Sequence, residues 1–212
     1  MSAEFQRHAD TFLRYQGRLE EFPDYQFELE GGVRGRTLPI RWNGTLEDLP
    51  RGIDGVFDRA FGEGGGNVLC AVNVTVPPEL RGRGLSRKAL ERMRELARDH
   101  GLECLIAPVM PTWKERYPLA PIERYMHWRR EDGLLFDPWL RTHERLGATI
   151  LKAEPHSIWT TGTVAEWEEW TEMAFPESGE YVIPGGQATL AIDRERDVGR
   201  YAEPNVWMVH AV

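Results

Sequence analysis

The sequence predicts an α/β fold organised round one β-α-β unit, and three observations carry that expectation. Val72, Val74 and Val76 alternate as β-branched residues of a strand that Pro77 and Pro78 end. Leu85, Ala89, Leu90, Met93, Leu96 and Ala97 then recur at the spacing of one helical face, with Arg92, Arg94, Glu95 and Arg98 outside it. Gly101 stops that helix, and Leu105-Ile106-Ala107-Pro108-Val109 follows as a second apolar strand. Ligands of such units bind at the carboxyl end of the strands, where the first strand turns into the helix.

Before this unit, a helix is expected over 8–19. A hairpin of Tyr25-Gln26-Phe27-Glu28-Leu29 and Arg36-Thr37-Leu38-Pro39-Ile40-Arg41-Trp42 follows, turning at Gly31-Gly32. Thr45 is placed to cap a short helix carrying Leu46, Leu49, Ile53, Val56, Phe57 and Phe61, interrupted by Pro50, and Gly64-Gly65-Gly66 reads as a flexible link. After the unit, 108–137 is a long connection with Trp113, Tyr117, Tyr125, His127, Trp128 and Phe136, some helix near 121–128, and the acidic Glu123 and Asp132. A connection of this length inside a compact domain is the place to expect substrate selection. Asp137 caps, Pro138 starts and Gly147 stops the next helix, and a strand over 148–151 follows it. Thr163-Val164-Ala165-Glu166 has capping-box spacing and opens a helix with Trp167 and Trp170; strands are expected near 181–183, 188–192 and 206–209.

The 212 residues fit a single domain over 1–212, with its core at about 66–151 and an elaborated part over 152–212. A hydrophobic fraction of 41% and a charged fraction of 28% are those of a soluble globular protein. The first residues have neither the basic end nor the apolar stretch of a signal peptide, so a cytoplasmic location is the expectation. A net charge of −8 argues against a general nucleic-acid binder, and no apolar run spans a membrane. The two cysteines, Cys70 and Cys104, read as buried free thiols inside strands, and no cysteine or histidine spacing supports a metal.

The turn Arg81-Gly82-Arg83-Gly84-Leu85-Ser86 holds the strongest functional signal. Gly82 and Gly84 permit backbone geometry closed to other residues, and the helix that starts here points free N–H groups back at the turn. Arg81, Arg83, Arg87 and Lys88 add positive charge with no acid among them, so the expected guest is a phosphate. Leu85 stands where a Walker loop needs Lys and then Ser or Thr, and Arg87 stands where a dinucleotide fingerprint needs Gly or Ala.

The turn resembles the acyl-CoA pyrophosphate loop of the GNAT superfamily of N-acetyltransferases, written Arg/Gln-x-x-Gly-x-Gly/Ala, with Arg81, Gly84 and Ser86 at its defined positions. Ser86 departs from the usual small apolar residue and is itself small. The resemblance covers about 66–151. It implies a mixed, mostly antiparallel central sheet with flanking helices, acetyl-CoA as co-substrate, and a small-molecule amine as acceptor. The resemblance also assigns the loop Arg81, Gly82, Arg83, Gly84, Leu85, Ser86 and Arg87 to acyl-CoA, with a main-chain oxyanion donor at the strand end Val74-Thr75-Val76. A homodimer is left open.

Acyl transfer calls for an oxyanion donor, a base for the acceptor and an acid for the leaving thiolate. His143 is the best candidate acid, since it shares a helix face with Leu140 and Leu146 and an ordinary imidazole titrates at about 6.5. The resemblance sharpens this, because GNAT enzymes often end this helix with Tyr, two variable residues, Leu and Gly, and His143-Glu144-Arg145-Leu146-Gly147 matches with His for Tyr. Tyr117 and Tyr125 are rival acids. His8, His100, His127, His156 and His210 read as surface or structural. The function expected is transfer of an acyl group from acyl-CoA to an amine by direct attack. The alternatives are a GNAT-like decarboxylase of malonyl-CoA or a related thioester, with Thr112 and His143 as its pair, and a non-catalytic CoA-binding module.

Overall fold

The computed structural model describes residues 4–15 and 17–212. The expected N-terminal helix is broken into a 3-10 turn over Glu4–His8, helix α1 over Asp10–Tyr15 and a second 3-10 turn over Arg18–Glu21; the rest of the 8–19 expectation lies at residue 16, outside the described residues. Gly17, with φ of 83°, interrupts regular helix here. Strands β1 (Gln26–Leu29) and β2 (Val33–Ile40) form the expected hairpin, paired from Leu29 with Val33 to Gln26 with Arg36.

Helix α2 spans Gly52–Glu63 and starts later than the sequence suggested. Pro50 disfavours helical geometry at the residue before it. Thr45 instead accepts the Asp48 N–H at 3.3 Å in a preceding turn, and Leu46 stays exposed. Gly64 and Gly65 face open space, whereas Gly66 ends the link in close packing. A Cβ on Gly66 would lie 2.3 Å from the Ile40 backbone, and Asn67 clasps Trp42 by two hydrogen bonds of 2.9 Å.

Strand β3 (Val68–Thr75), helix α3 (Leu85–Asp99) and strand β4 (Cys104–Val109) make the central unit, with β3 and β4 parallel. Leu90, Met93, Leu96 and Ala97 of α3 pack with Leu69 and Leu105, and Ala89 is buried on the same helix, as their spacing predicts. Each larger one contributes roughly 1.5–3 kcal/mol. Helix α2 covers the opposite face, over Leu38, Ile40, Cys70, Ile106 and Trp207. Cys70 is buried as expected, but Cys104 is only half-buried at the strand's start.

The chain continues through α4 (Ile122–Tyr125), α5 (Pro138–Arg145), β5 (Thr149–Gly162), α6 (Val164–Thr171), β6 (Gly179–Val182), β7 (Thr189–Asp193) and β8 (Val198–Ala211). The capping box at Thr163 and Glu166 is present in full. The sheet runs β1-β2-β3-β4-β8-β7-β6, with β5 along β8, and every pairing except β3 with β4 is antiparallel. β8 organises this arrangement. Its first half pairs with β7 and its second half with β4, while β5 follows it from Val209 back to Gly199.

Candidate active site

Past the pairs Leu69–Leu105 and Cys70–Ile106 the two parallel strands separate. β3 stays with β2 as far as Thr75, whereas β4 stays with β8 as far as Val109. Val72 has no opposite residue, because Arg36 pairs with Asn73 and Thr37 with Ala71, so a bulge bends β3 where it leaves β4. A cavity of about 350 Å³ fills the split. Its walls are Ala71 to Val74 of β3, Ala107 to Met110 at the end of β4, Ser86 and Leu90 of α3, Trp139 and His143 of α5, and Thr112. Ile53 and Ile158, which pack in the cluster under α2, line it on that side with Asn205 of β8, so its walls come from both faces of the sheet.

The glycine turn opens directly onto this cavity through Ser86. Gly82 and Gly84 have φ of 77° and 75°, and a Cβ on either would meet nothing within 4 Å. Gly84 is the N-cap of α3 and its carbonyl accepts the Lys88 N–H at 3.2 Å, leaving the N–H groups of 85–87 free of helical partners. Arg81, Arg83 and Lys88 are exposed and form no ion pair among the described residues. Arg87 is turned away, its Nε donating to Glu91 Oε1 at 3.0 Å, so one acid does interrupt the basic set. The turn therefore presents free N–H groups and unpaired cations to an anion, with the cavity directly behind it.

Of the strand end Val74-Thr75-Val76, only Val74 reaches the cavity. Thr75 closes β3 and donates its hydroxyl to Asn73 Oδ1 at 2.8 Å, while Val76 lies past the strand. Neither Tyr117 nor Tyr125 lines the cavity. Tyr125 is buried with its hydroxyl donating to Asp137 Oδ2 at 3.0 Å, away from the cavity, and burial together with that carboxylate pushes its pKa far up. Tyr117 packs edge-on to Trp128 and Phe136 in an aromatic cluster of the long connection.

Asp137 holds that connection in place. It caps α5 by accepting the Trp139 and Leu140 N–H groups and also accepts from Trp113 N–H and the Tyr125 hydroxyl. Lys114, which the sequence did not single out, is 1% exposed and donates to the carbonyls of Tyr117 and Gln187, and burial lowers its pKa to about 8. These bonds fix the middle of the connection beside a second, more open cleft of about 630 Å³ bordered by Glu123, Trp159 and Arg200. Asp132 borders neither space; it pairs with Arg130 at 3.4 Å and accepts the Leu134 N–H.

His143 is on the cavity wall, 1% exposed, with its Nδ1 2.9 Å from His210 Nε2. Burial lowers the His143 pKa to about 3, so the ring is neutral at any physiological pH and the ordinary value expected for it does not apply. His210, read from sequence as surface or structural, is fully buried on β8 and held to about 4, by burial first and by the Arg94 cation second. Asn205 was missed entirely. It donates through Nδ2 to the Pro108 carbonyl at 2.8 Å, which leaves a buried Oδ1 without a partner on the cavity wall. Neither cysteine reaches the cavity; burial pushes Cys70 up strongly and Cys104 to about 11. Among the described residues no cluster of His, Cys, Asp or Glu could hold a metal, and no helix is long and apolar enough to cross a membrane.

No protein-family model matches the chain. A curated relative, the arginine N-acetyltransferase avaD of Aspergillus versicolor, is 34% identical over 164 residues, which are 69% of this chain and 57% of that protein. The chain thus spans little more than half the length of that relative. Among solved structures, the loading GNATL domain of CurA from Lyngbya majuscula is similar with a TM-score of 0.56 at 23% identity, over 90% of this chain and 78% of that one. The GphF GNAT-like decarboxylase in complex with isobutyryl-CoA gives 0.52 at 18% identity, over 92% and 81%. Both share their overall fold with this chain, and together with the curated relative and the glycine turn they lead to one assignment: the chain belongs to the GNAT superfamily.

Proposed function

We propose that the protein is an acyl-CoA-dependent N-acyltransferase that moves an acetyl or other acyl group to the amine of a small molecule, arginine or an amine like it. The observation that carries this reading is the cavity at the β3–β4 split, continuous through Ser86 with an open anion cradle. The similarity to an arginine N-acetyltransferase supports the acceptor class.

In this reading the N–H groups at the start of α3 hold the pyrophosphate of acyl-CoA, with Arg81 and Arg83 adding charge at the rim. The bulged edge of β3 from Ala71 to Val74 no longer pairs with β4, and it offers main-chain donors to the thioester carbonyl. The acceptor enters from the α2 side, where Asn205 Oδ1 accepts from the attacking amine. As the N–C bond forms and the C–S bond breaks, the proton shed by the amine ends on sulfur. His143 serves this step as a neutral ring donating a hydrogen bond towards the departing sulfur rather than as a stored cation. No nucleophilic thiol takes part, in keeping with the raised pKa values of both cysteines.

The second reading, decarboxylation of malonyl-CoA or a similar thioester, is favoured by one observation: Thr112 and His143 line the same cavity. Incubation with acetyl-CoA plus arginine, and separately with malonyl-CoA alone, distinguishes the two. Release of free CoA with acetylated arginine is the expected result. Acetyl-CoA formed from malonyl-CoA without acceptor establishes the second reading, and tight CoA binding with neither product, and with no transfer to a panel of other small amines, establishes a non-catalytic module.

A further inference from the structure

His143 on α5 and His210 on β8 meet through a single hydrogen bond of 2.9 Å, and both rings are buried and neutral. Two neutral imidazoles carry two ring protons. One of them occupies the shared bond, since two lone pairs at that distance repel and two N–H groups collide. The other must then sit on an outer nitrogen, either His143 Nε2 or His210 Nδ1, and both of these lack a partner. The two tautomers are therefore coupled. If His210 donates the shared bond, His143 carries Nε2–H; if His143 donates it, His143 is left with a bare Nε2 lone pair.

The surroundings of His210 decide between these states. Arg94 of α3 donates through Nε to the carbonyl of Ala211, the next residue along β8, at 3.1 Å, and through Nη1 to the carbonyl of Leu146, which follows α5, at 3.3 Å. Its guanidinium is thereby fixed beside the His210 end of the pair. The bare nitrogen is the negative end of a neutral imidazole's dipole, so a nearby cation favours the lone pair, and not the proton, on His210 Nδ1. On the other side His143 packs nearly perpendicular to the uncharged Trp139 ring, with ring centres 4.6 Å apart, and burial and His210 are what shift its titration, so neither opposes this bias.

We propose that His210 is a positioning residue: with Arg94 behind it, it donates Nε2–H to His143 Nδ1 and so holds His143 as the Nε2–H tautomer, a hydrogen-bond donor at the cavity. The role in catalysis rests on the reading of His143 as the donor to the departing sulfur. The tautomer assignment does not, and it is measured separately.

Nitrogen-15 NMR of ligand-free protein labelled at histidine distinguishes protonated from bare ring nitrogens, and His143→Gln and His210→Gln variants assign the signals. The expected result is a bare Nδ1 and a protonated Nε2 on both rings, and a protonated His143 Nδ1 overturns the proposal. Kinetics provide the second arm. His210→Leu, which cannot donate, should lower kcat about tenfold or more, with the KM for acyl-CoA changed by less than about twofold. His210→Gln, whose amide can donate, should recover most of that loss. Equal loss in the two variants overturns the positioning role, because packing is then what His210 supplies. If the Leu variant does not fold, the wild-type tautomers decide. Full activity in His143→Ala would refute the catalytic reading of His143 while leaving the tautomer result to stand.

Discussion

Cys70 and Ile106 are the last residues at which β3 and β4 pair, and the candidate site begins one residue beyond them. The separation has a cause on each side. β3 is held by β2 and bent by the bulge at Val72, while β4 is held by β8 through six consecutive pairs from Cys104–Ala211 to Val109–Val206. Each strand keeps its backbone bonds on its outer edge. The gap is thus built without sacrificing either ladder, and the unpaired inner edges are left for a ligand with amide and carbonyl groups of its own.

The glycine turn is open to a direct test. Gly84 has φ of 75° and faces open space, so an Asp or Asn there bears a similar backbone cost of about 1 kcal/mol but only Asp brings a negative charge to the cradle. Gly84→Asp should abolish CoA binding in titration calorimetry, Gly84→Asn should weaken it less, and Arg83→Ala should do least. Wild-type affinity in a folded Gly84→Asp protein would remove the cradle from the site.

Stability should peak near neutral pH. His143 and His210 titrate at about 3 and about 4 when folded, against an ordinary 6.5, so the stability they contribute is whole above 6.5 and is lost as pH falls through that value. Glu203 works in the opposite direction: burial raises its carboxyl from 4.5 to about 7, so its contribution is present below 4.5 and lost as pH rises to 7. Between 4.5 and 6.5 two histidines outweigh one carboxyl, and Tm measured by calorimetry should rise with pH. Above 6.5 it should slip, and Glu203→Gln should remove that slip. A Tm that climbs steadily from pH 8 to pH 5 contradicts these assignments.

Signals confined to a few neighbouring residues were legible in the sequence. The strand, glycine turn and helix from Val72 to Ala97, the Asp137-Pro138 start and Gly147 stop of α5, and the capping box at Thr163 all depend on local backbone chemistry, and all are found. β5 and β8 were read too short, because buried polar residues such as Glu154, Ser157, Glu203 and Asn205 interrupt the apolar pattern that marks a strand. The pairing of His143 with His210 joins residues 67 apart and exists only because α5 packs over the strand that returns beside β4. No spacing rule reaches that far. Asn205 was hidden for the same reason, since its meaning comes from the Pro108 carbonyl across the ladder.

Arg36 should read a carboxylate on the acceptor. It pairs across the ladder with Asn73, which lines the cavity, so the two side chains share a face of the sheet. Arg36 is half-buried and has no ion pair among the described residues. Arg36→Ala should raise the KM for arginine about tenfold, the worth of one charge-assisted hydrogen bond, and leave agmatine, which lacks the carboxylate, unchanged. The same KM change for both amines would place Arg36 outside acceptor recognition.

His143→Ala should slow acyl transfer about a hundredfold while leaving CoA affinity nearly intact, as expected for a donor that matters when charge builds on the leaving sulfur. The pH profile makes this test specific. A cationic imidazole acid would impose an inflection near its pKa, but a ring held neutral down to about 3 imposes none across the working range. The wild-type kcat profile should therefore show no limb that disappears on replacing His143, and the variant should run parallel to it at a lower rate. His143→Tyr, which keeps an O–H donor on the same helix face beside Trp139, should recover more activity than His143→Gln. An inflection near 6.5 that vanishes in His143→Ala would mean that the ring is protonated in the working enzyme, and the neutral-donor account would have to be given up.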